Sequence, residues 1–368
     1  MNNLNLNFHM PVKVISGPGC FKSFDRFREF GQKAFIVCGQ NSARVCGALD
    51  HAKISLAGCK VEYRIFDRVE QNPTVETCAQ AAKQAREFGA SFILAIGGGS
   101  PLDAAKAVAV YAANPAMPAL DIFENGFTKP PLPILAVAIT AGTGSEVTPY
   151  SVLTVHSLGT KKSFASPLVY PKIAFLDPVY TYSLPLDFTA STAVDALSHA
   201  VEGFFCVNIN IATRGMALGS MGTLAECIRD LANGNLDNSV RAKLLYAASV
   251  AGMVIAHTGT GAVHPMGYPL TYYKGVPHGH ANAYFLADFL KLMGQEKPQQ
   301  LKTALNAMRL TSPEELHSLI SRVMVFDQKL SYDEAITYSI EAAKAKNCAN
   351  TDPAVTESQI LDIYKKLV

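Results

Sequence analysis

The pattern of strand-like and helix-like segments changes near Pro185, and this change most limits how the chain can fold. Before Pro185, short apolar runs alternate with helical patterns and are bounded by Gly, Asn and Pro. Such alternation predicts parallel strands in a doubly wound α/β sheet. The predicted strands cover residues 34–38, 61–66, 92–96, 134–139, 152–155 and 173–176, with helices at 75–88 and 102–113.

After Pro185, strand-like runs nearly vanish and long segments rich in Ala, Leu and Met predict helices. The chain has 368 residues, more than the ~250–300 that a single core usually supports. We therefore predict two domains, an α/β domain over residues 1–182 and an all-helical domain over residues 183–368. The predicted helices of the second domain cover residues 191–205, 213–231, 240–256, 282–292, 298–308 and 313–325.

The composition excludes several classes of protein. Apolar residues make up 49% and charged residues 17% of the chain, which is typical of a globular protein. A net charge of +2 without a basic stripe argues against a nucleic-acid partner. The polar first ten residues do not resemble a signal peptide, and no apolar run approaches the ~20 residues of a membrane span. Eight cysteines without a Cys-x-x-Cys pair fit a reducing compartment, so we expect a cytoplasmic protein without a membrane partner.

A glycine-rich segment, Gly97-Gly98-Gly99-Ser100, directly follows the predicted strand at 92–96. Three glycines allow the backbone to approach a ligand, and a helix N-terminus offers free N–H groups to a pyrophosphate. We expect Ser100 to cap the following helix, Pro101 to occupy its first position and Asp103 to complete a capping box. A tight strand-to-helix turn without a ligand explains the same residues equally well.

A second glycine-rich segment, residues 140–146, follows the predicted strand at 134–139. It carries the hydroxyl side chains of Thr140, Thr143 and Ser145. Two such loops at the carboxyl ends of parallel strands are what an open α/β sheet needs to hold a dinucleotide. The pair of loops therefore favours a nucleotide site more strongly than either loop alone.

The helical half contains residues of the types that bind divalent cations. Asp195 and His199 are four residues apart and lie on one face of a predicted helix, while His264 and His278 stand in glycine-interrupted segments. One carboxylate and three imidazoles suit a borderline cation such as Fe²⁺ or Zn²⁺. An isolated Asp-x-x-x-His pair is more often a salt bridge or a cap. For the neighbouring His257 and His280 a structural or supporting role is favoured.

Together these segments resemble the iron-containing (group III) alcohol dehydrogenase family, which shares a superfamily with glycerol dehydrogenase and dehydroquinate synthase. The segment from His264 to Thr271 looks closest to the 1,3-propanediol-dehydrogenase-like subgroup. The motifs follow the family order over about residues 10 to 290, whereas the last part of the chain carries none. They are residues 97–106, 140–146, Asp177-Pro178, residues 195–202, His264 and His278.

The resemblance implies a dehydroquinate synthase-like architecture, in which a dinucleotide-binding domain precedes a helical domain and a metal lies in the cleft between them. It also implies a homodimer, a small alcohol or aldehyde as substrate, and NADP or NAD as cofactor. By motif position the four metal ligands are Asp195, His199, His264 and His278. The residues implied at the cofactor are Gly97, Gly98, Gly99, Ser100, Asp103, Thr140, Thr143, Ser145 and Lys162.

Cofactor preference is predicted from the end of the strand at 34–38. NAD-specific relatives tend to place an Asp near position 39, where it accepts the ribose 2′-OH and repels a 2′-phosphate. This chain has Gly39, followed by Ser42 and Arg44. We therefore expect Gly39 and Ser42 to lie at the cofactor and NADP to be accepted and preferred.

The expected reaction is hydride transfer between nicotinamide and a small primary alcohol or diol, with a divalent cation polarising the substrate oxygen. Many relatives have a second histidine where this chain has Tyr268. Its phenol either donates a hydrogen bond to the substrate or cofactor or is a packing residue, so we carry it as a candidate catalytic residue. Three alternatives remain from the residues alone: a glycerol-dehydrogenase-like polyol oxidoreductase, a metal-dependent hydrolase or lyase, and a nucleotide-binding regulatory protein.

Overall fold

The computed structural model describes residues 6–368, which form two compact units. One unit spans residues 10–184, and the other spans residues 185–368 together with residues 6–9. The division falls two residues after the predicted boundary. Residues 6–9 group with the helical unit because Phe8 stacks on the His257 ring and the His9 N–H donates to His257 Nε2.

The first unit is built on a six-stranded sheet whose described pairings are all parallel. Its strand order is β1-β8-β5-β4-β2-β3, while β6 and β7 form a separate antiparallel hairpin. The strands are β1 (Lys13–Ser16), β2 (Lys33–Gly39), β3 (Glu62–Val69), β4 (Phe92–Gly97), β5 (Ile134–Ala138), β6 (Tyr150–Val155), β7 (Thr160–Ala165) and β8 (Ile173–Leu176).

Both faces of this sheet are covered. Alternate residues of β2 enter two separate cores, with Phe35 and Val37 in one and Ala34 and Ile36 in the other. Burying a large apolar side chain contributes roughly 1.5–3 kcal/mol, which explains why the central strands are continuous apolar runs. The covering helices are α1 (Ser42–Val45), α2 (Ala48–Gly58), α3 (Val75–Phe88) and α4 (Gly99–Ala113).

The second unit consists of helices packed around α5, which contacts α6, α7 and α9. One of these helices, α7, is long and apolar enough to cross a membrane by length and composition alone, with 61% of the tested window buried inside the unit. The helices are α5 (Leu186–Phe204), α6 (Ile211–Ala232), α7 (Asn238–Thr258), α8 (Val263–Lys274), α9 (His278–Glu296), α10 (Pro298–Ala307), α11 (Pro313–Ser321), α12 (Tyr332–Ala343) and α13 (Glu357–Tyr364).

The predicted fold class, an α/β unit followed by an all-helical unit, is confirmed. The prediction that residues 152–155 join the parallel sheet is wrong, because this segment pairs with β7 in the hairpin. The predicted capping box is also wrong, since α4 already begins at Gly99 and Gly98 precedes it without a side-chain cap. Sequence reasoning missed β1, β7, α1, α2, α8, α12 and α13. Helix α8 continues through Pro269.

Candidate metal centre and cofactor loops

Three helices of the second unit bring the proposed ligands together. Helix α5 carries Asp195 and His199 one turn apart, α8 carries His264 in its first turn, and α9 begins at His278. Two glycines allow this close approach. A Cβ at Gly279 would stand 1.9 Å from the carbonyl oxygen of Ser191 on α5, and a Cβ at Gly267 would stand 2.4 Å from Asn282 Oδ1 on α9.

The polar atoms of this cluster are spaced as ligands of one ion. Asp195 Oδ1 lies 3.9 Å from His199 Nε2 and 3.6 Å from the Nε2 atoms of both His264 and His278. His264 Nε2 and His199 Nε2 are 2.9 Å apart. Ligand atoms bound ~2.1 Å from one cation stand about 3.0–3.5 Å from each other in octahedral or tetrahedral geometry. The observed separations bracket that range.

Burial differs among the four side chains. Asp195, His199 and His264 are buried and offer ligand atoms within 4.8 Å of one another. The side chain of His278 remains 37% exposed. Catalytic metal sites keep one position open for a substrate, and structural sites are closed. His278 therefore lies at the accessible side of the cluster, where a substrate could approach.

Glu202, which received no role in the sequence analysis, orients His264. Its side chain is fully buried, its Oε2 pairs with His264 Nδ1, and its Oε1 accepts the His264 backbone N–H at 3.1 Å. A carboxylate at Nδ1 holds the ring proton there and leaves the Nε2 lone pair for a cation. The spacing of Glu202 from Asp195, seven residues along α5, could have indicated this role because it places both on one helix face.

Asn282 on α9 is the second supporting residue that sequence reasoning missed. Its side chain is fully buried, and its Nδ2 donates to Asp195 Oδ1 at 3.0 Å and lies 3.4 Å from His264 Nε2. This amide holds the carboxylate in its orientation toward the imidazoles. No local motif marks Asn282, since the two partners of its hydrogen bond are 87 residues apart.

The electrostatics of the cluster favour a cation. Burial opposes ionisation of Asp195, but the neighbouring imidazoles, led by that of His199, hold its pKa below the ordinary value. Burial lowers the pKa of His199 to about 4, so that ring is neutral at neutral pH and free to coordinate. Burial also acts against protonation of His264, yet Glu202 and Asp195 raise its pKa above the ordinary value. Two buried carboxylates thus attract positive charge, and the donor set fits Fe²⁺ or Zn²⁺.

Tyr268 lies beside the proposed ligands. Its ring stacks on His278 at 5.9 Å between centroids and meets the edge of His264 at 6.5 Å. The residue is 44% exposed. Partial loss of water around the phenol, together with the carboxylates of Glu202 and Asp195, raises its pKa. The phenol is therefore a proton donor in hydrogen bonds at neutral pH, not a base.

The two remaining histidines of this region make other contacts. His257 accepts the N–H of His9 and stacks on Phe8, and its Nδ1 lies 2.7 Å from the Met253 carbonyl oxygen. His280 Nε2 lies 2.8 Å from the Val325 carbonyl oxygen. These contacts agree with the structural roles that were favoured for both.

In the α/β unit the two glycine-rich loops pack directly against each other. A Cβ at Gly98 would stand 2.8 Å from Thr140 Oγ1, and a Cβ at Gly99 would stand 2.9 Å from Thr143 Cγ2. Glycine is required at both positions because the second loop occupies the space of a side chain. The loops therefore form one surface at the N-terminus of α4, where N–H groups favour an anion.

Three cofactor candidates are engaged within the protein. Asp103 accepts hydrogen bonds from Ser145 Oγ at 2.5 Å and from the Val152 N–H at 2.9 Å. Because the Ser145 hydroxyl donates its proton to Asp103, it does not offer that proton to a ligand. Ser100, instead of capping α4, accepts the Asn72 N–H with its Oγ at 3.3 Å.

The residues predicted to select the cofactor lie beside the same loops. An ideal Cβ at Gly39 would stand 3.8 Å from Ser42 Oγ, 3.9 Å from Pro101 Cγ and 3.5 Å from the Val69 carbonyl oxygen. These are ordinary van der Waals distances, so a larger residue could be accommodated. Arg44 forms an ion pair with Asp67, and its guanidinium holds the pKa of the Asp67 carboxyl below the ordinary value.

Lys162, which the resemblance places at the cofactor, makes a contact within the α/β unit. Its Nζ lies over the ring of Phe123, 5.0 Å from the centroid. The adjacent Lys161 points to the other face of the hairpin, where its Nζ donates to Asn72 Oδ1 at 2.9 Å. Since Asn72 also contacts Ser100, Lys161 is the lysine of this pair that is linked to the first glycine loop. Side chains alternate in a strand, so a shift of one residue in the hairpin register exchanges the two lysines.

Family models and known proteins match nearly the whole chain. The model of the iron-containing alcohol dehydrogenase family matches residues 11–178, and the model of its C-terminal domain matches residues 189–368. The NADPH-dependent butanol dehydrogenase of Clostridium saccharobutylicum is 29% identical, with 93% of this chain and 89% of the relative covered.

Solved structures of the family have the same fold over nearly the whole chain. The iron-containing alcohol dehydrogenase of Thermotoga maritima is 35% identical, with a TM-score of 0.90 and coverage of 98% of this chain and 99% of its own. A 1,3-propanediol oxidoreductase is 26% identical with the same TM-score and coverage. The chain belongs to the iron-containing alcohol dehydrogenase family, whose members carry out NAD(P)-linked oxidoreduction of small alcohols and aldehydes.

Proposed function

We propose that Asp195, His199, His264 and His278 hold the catalytic iron of this alcohol dehydrogenase. The observation that carries the proposal is that one carboxylate oxygen, Asp195 Oδ1, lies within 3.6–3.9 Å of three imidazole Nε2 atoms. The arrangement also suits zinc, because both ions accept this donor set. The domain assignments are proposed on the same basis, with the metal in the helical domain and the cofactor in the α/β domain.

The cofactor site is proposed at the two glycine loops. Gly97, Gly98, Gly99 and the N-terminus of α4 would bind the pyrophosphate through backbone N–H groups, with Thr140 and Thr143 beside them. Gly39 and Ser42 would receive the adenosine ribose, and the lack of an acid at position 39 favours NADP over NAD. The NADPH dependence of the Clostridium relative is compatible with this preference.

Each residue of the metal centre contributes to the reaction in a different way. When bound, the ion supplies Lewis-acid polarisation of the substrate oxygen. Glu202 keeps the proton of His264 on Nδ1, and Asn282 fixes the orientation of Asp195. Tyr268 would donate a hydrogen bond to the substrate oxygen from its place beside His278. The hydride chemistry is that of the nicotinamide itself.

Replacement of His278 by Ala tests the metal site. We expect bound iron, measured by elemental analysis after anaerobic purification, to fall sharply together with turnover followed by nicotinamide absorbance. His280→Ala is the matched control, since it removes an imidazole from the same helix whose contacts are with the Val325 carbonyl oxygen and with the rings of Tyr284 and Phe326. A His278→Ala protein with full iron content and full activity would show that the proposed ligand set is wrong.

The substrate is proposed to be a short primary alcohol or diol, or the corresponding aldehyde, as the names of the butanol and 1,3-propanediol relatives suggest. A panel of short-chain aldehydes and hydroxyaldehydes, each tested with NADPH and NADH, would rank candidates by kcat/KM. We also propose that the protein is a cytoplasmic homodimer, which sedimentation and cell fractionation would test.

A further inference from the structure

Lys106 is a buried cation for which the proposed function gives no role. It lies in α4, two turns from the first glycine loop, and its side chain is fully buried. Its Nζ donates to Ser145 Oγ at 2.7 Å, to the Tyr150 carbonyl oxygen at 2.6 Å and to Thr148 Oγ1 at 3.5 Å. The ammonium therefore donates to the end of the second glycine loop, at Ser145, and to the residues that directly follow the loop, Thr148 and Tyr150.

The same network includes a carboxylate. Asp103 Oδ1 lies 3.7 Å from Lys106 Nζ and accepts the Ser145 hydroxyl at 2.5 Å. The Ser145 oxygen thus accepts from the ammonium and donates to the carboxylate, which fixes its rotamer. The Ser145 N–H in turn donates to Thr143 Oγ1 at 3.3 Å. An unbroken chain of hydrogen bonds leads from Lys106 to the threonine that packs on Gly99.

The need to fill the space inside the unit does not explain why position 106 is a lysine. Burial lowers the pKa of Lys106 to about 8, against the attraction of Asp103 and Glu146, so the ammonium is less stable here than in water. A methionine would fill a similar volume without that cost. A methionine cannot donate three hydrogen bonds, however, and these bonds join residues 145–150 to α4 alongside the hydrogen bond between Ser145 and Asp103.

We propose that Lys106 is a positioning residue that holds the second glycine loop in the shape that receives the nicotinamide cofactor. It acts through Ser145 and Thr143 and does not touch the cofactor. Loss of the ammonium would remove one hydrogen-bond donor from each of Ser145, Thr148 and the Tyr150 carbonyl and leave Ser145 held only by Asp103 and Thr143. The surface that Thr143 and Thr140 build beside Gly99 and Gly98 would then be less firmly fixed. The inference rests on the proposed cofactor site at these loops.

The test compares the dissociation constants of NADPH and NADH for the metal-loaded parent and for Lys106→Met. The chain contains no Trp, so the fluorescence of bound nicotinamide can be followed without tryptophan emission. We expect Lys106→Met to weaken binding by about 10- to 100-fold, the effect of losing hydrogen bonds to a charged group. Metal content should be unchanged, and kcat at saturating cofactor should fall by less than about threefold, because the ammonium acts on binding.

Lys83→Met is the matched control, since Lys83 is an exposed lysine on the adjacent helix α3 and should leave cofactor binding unchanged. If Lys106→Met lacks a cooperative unfolding transition and is therefore not properly folded, cofactor binding by Ser145→Ala tests the proposal instead. It removes only the bridging hydroxyl and should weaken cofactor binding in the same direction by a smaller factor.

These measurements distinguish an error in the proposed cofactor site from an error in the proposed role of Lys106. If the parent binds neither NADPH nor NADH, the proposed cofactor site is wrong. If the parent binds the cofactor and the folded Lys106→Met or Ser145→Ala protein binds it equally well, only the role of Lys106 is refuted. A loss of kcat with an unchanged dissociation constant would also refute it.

Discussion

Replacement of Glu202 by Gln isolates the contribution of the carboxylate that supports His264. The two side chains have nearly the same shape, so the buried volume is kept. Glu202 accepts two hydrogen bonds, one from His264 Nδ1 and one from the His264 backbone N–H. Gln has one acceptor oxygen, so one of these positions must face an NH₂ group. If the amide NH₂ faces Nδ1, the ring proton moves to Nε2 and blocks the nitrogen that a cation needs.

The size of the effect follows from this tautomer preference. Loss of a carboxylate partner behind a ligating imidazole typically weakens metal binding by about 10- to 100-fold, or about 1.4–2.8 kcal/mol. Because Glu202 is fully buried, solvent cannot replace the lost acceptor. We expect the Glu202→Gln protein to fold and to bind its ion more weakly by that factor.

The assay is anaerobic competition for Fe²⁺ or Zn²⁺ between the apo-protein and a chelator, so it does not depend on turnover. Glu226→Gln is the control, because Glu226 belongs to the same unit and its ion pair with Lys243 is half exposed and contributes little. A metal dissociation constant for Glu202→Gln within about twofold of the parent would refute the argument from the tautomer.

Three further predictions concern Gly39 and Lys106 in the α/β unit and Tyr268 in the helical unit. Gly39→Asp should shift the ratio of kcat/KM values from NADPH toward NADH by about tenfold or more, since a Cβ fits at this position and an acid repels a 2′-phosphate. An unchanged ratio would indicate that the ribose binds elsewhere. Tyr268→Phe should lower kcat/KM by about 5- to 150-fold and leave metal content unchanged, and identical kinetics across the pH range would make Tyr268 a packing residue. The pKa of Lys106 is lowered from 10.5 to about 8, so the unfolded chain binds more protons between these values. The free energy of unfolding of the parent relative to Lys106→Met should therefore rise with pH over that range in urea titrations, and a parallel pH dependence of the two proteins would contradict this.

The features that could be predicted from sequence are those that a short segment specifies by itself. The strand ending at Gly97 and the turn of three glycines require no distant partner to be recognised. The pairing of Asp195 with His199 follows from helical periodicity alone. These local signals were sufficient for the fold class and for the pair Asp195 and His199, whereas the complete set of proposed ligands was assigned through the resemblance to the family.

The missed features depend on partners that are distant in sequence. Asn282 reaches Asp195 across 87 residues, and the Lys106 ammonium reaches Tyr150 across 44. Asp103 was assigned to a helix cap by its spacing from Ser100, but tertiary contacts with Ser145 and Val152 determine its place. Hydrogen bonds of this kind have no sequence period, so only the folded chain shows them.

The unit formed by residues 185–368 contains all four proposed ligands together with Glu202 and Asn282. This arrangement affects how the protein can be engineered and how its relatives can diverge in sequence. The glycine loops and Gly39 belong entirely to the unit formed by residues 10–184. A library that randomises positions 39–44 would alter the preference between NADP and NAD, and one that varies Tyr268 would alter the range of substrates. Improved variants can be selected from each library separately and then combined in one protein. In the same way, the cofactor preference of a duplicated gene can change while its metal centre stays intact.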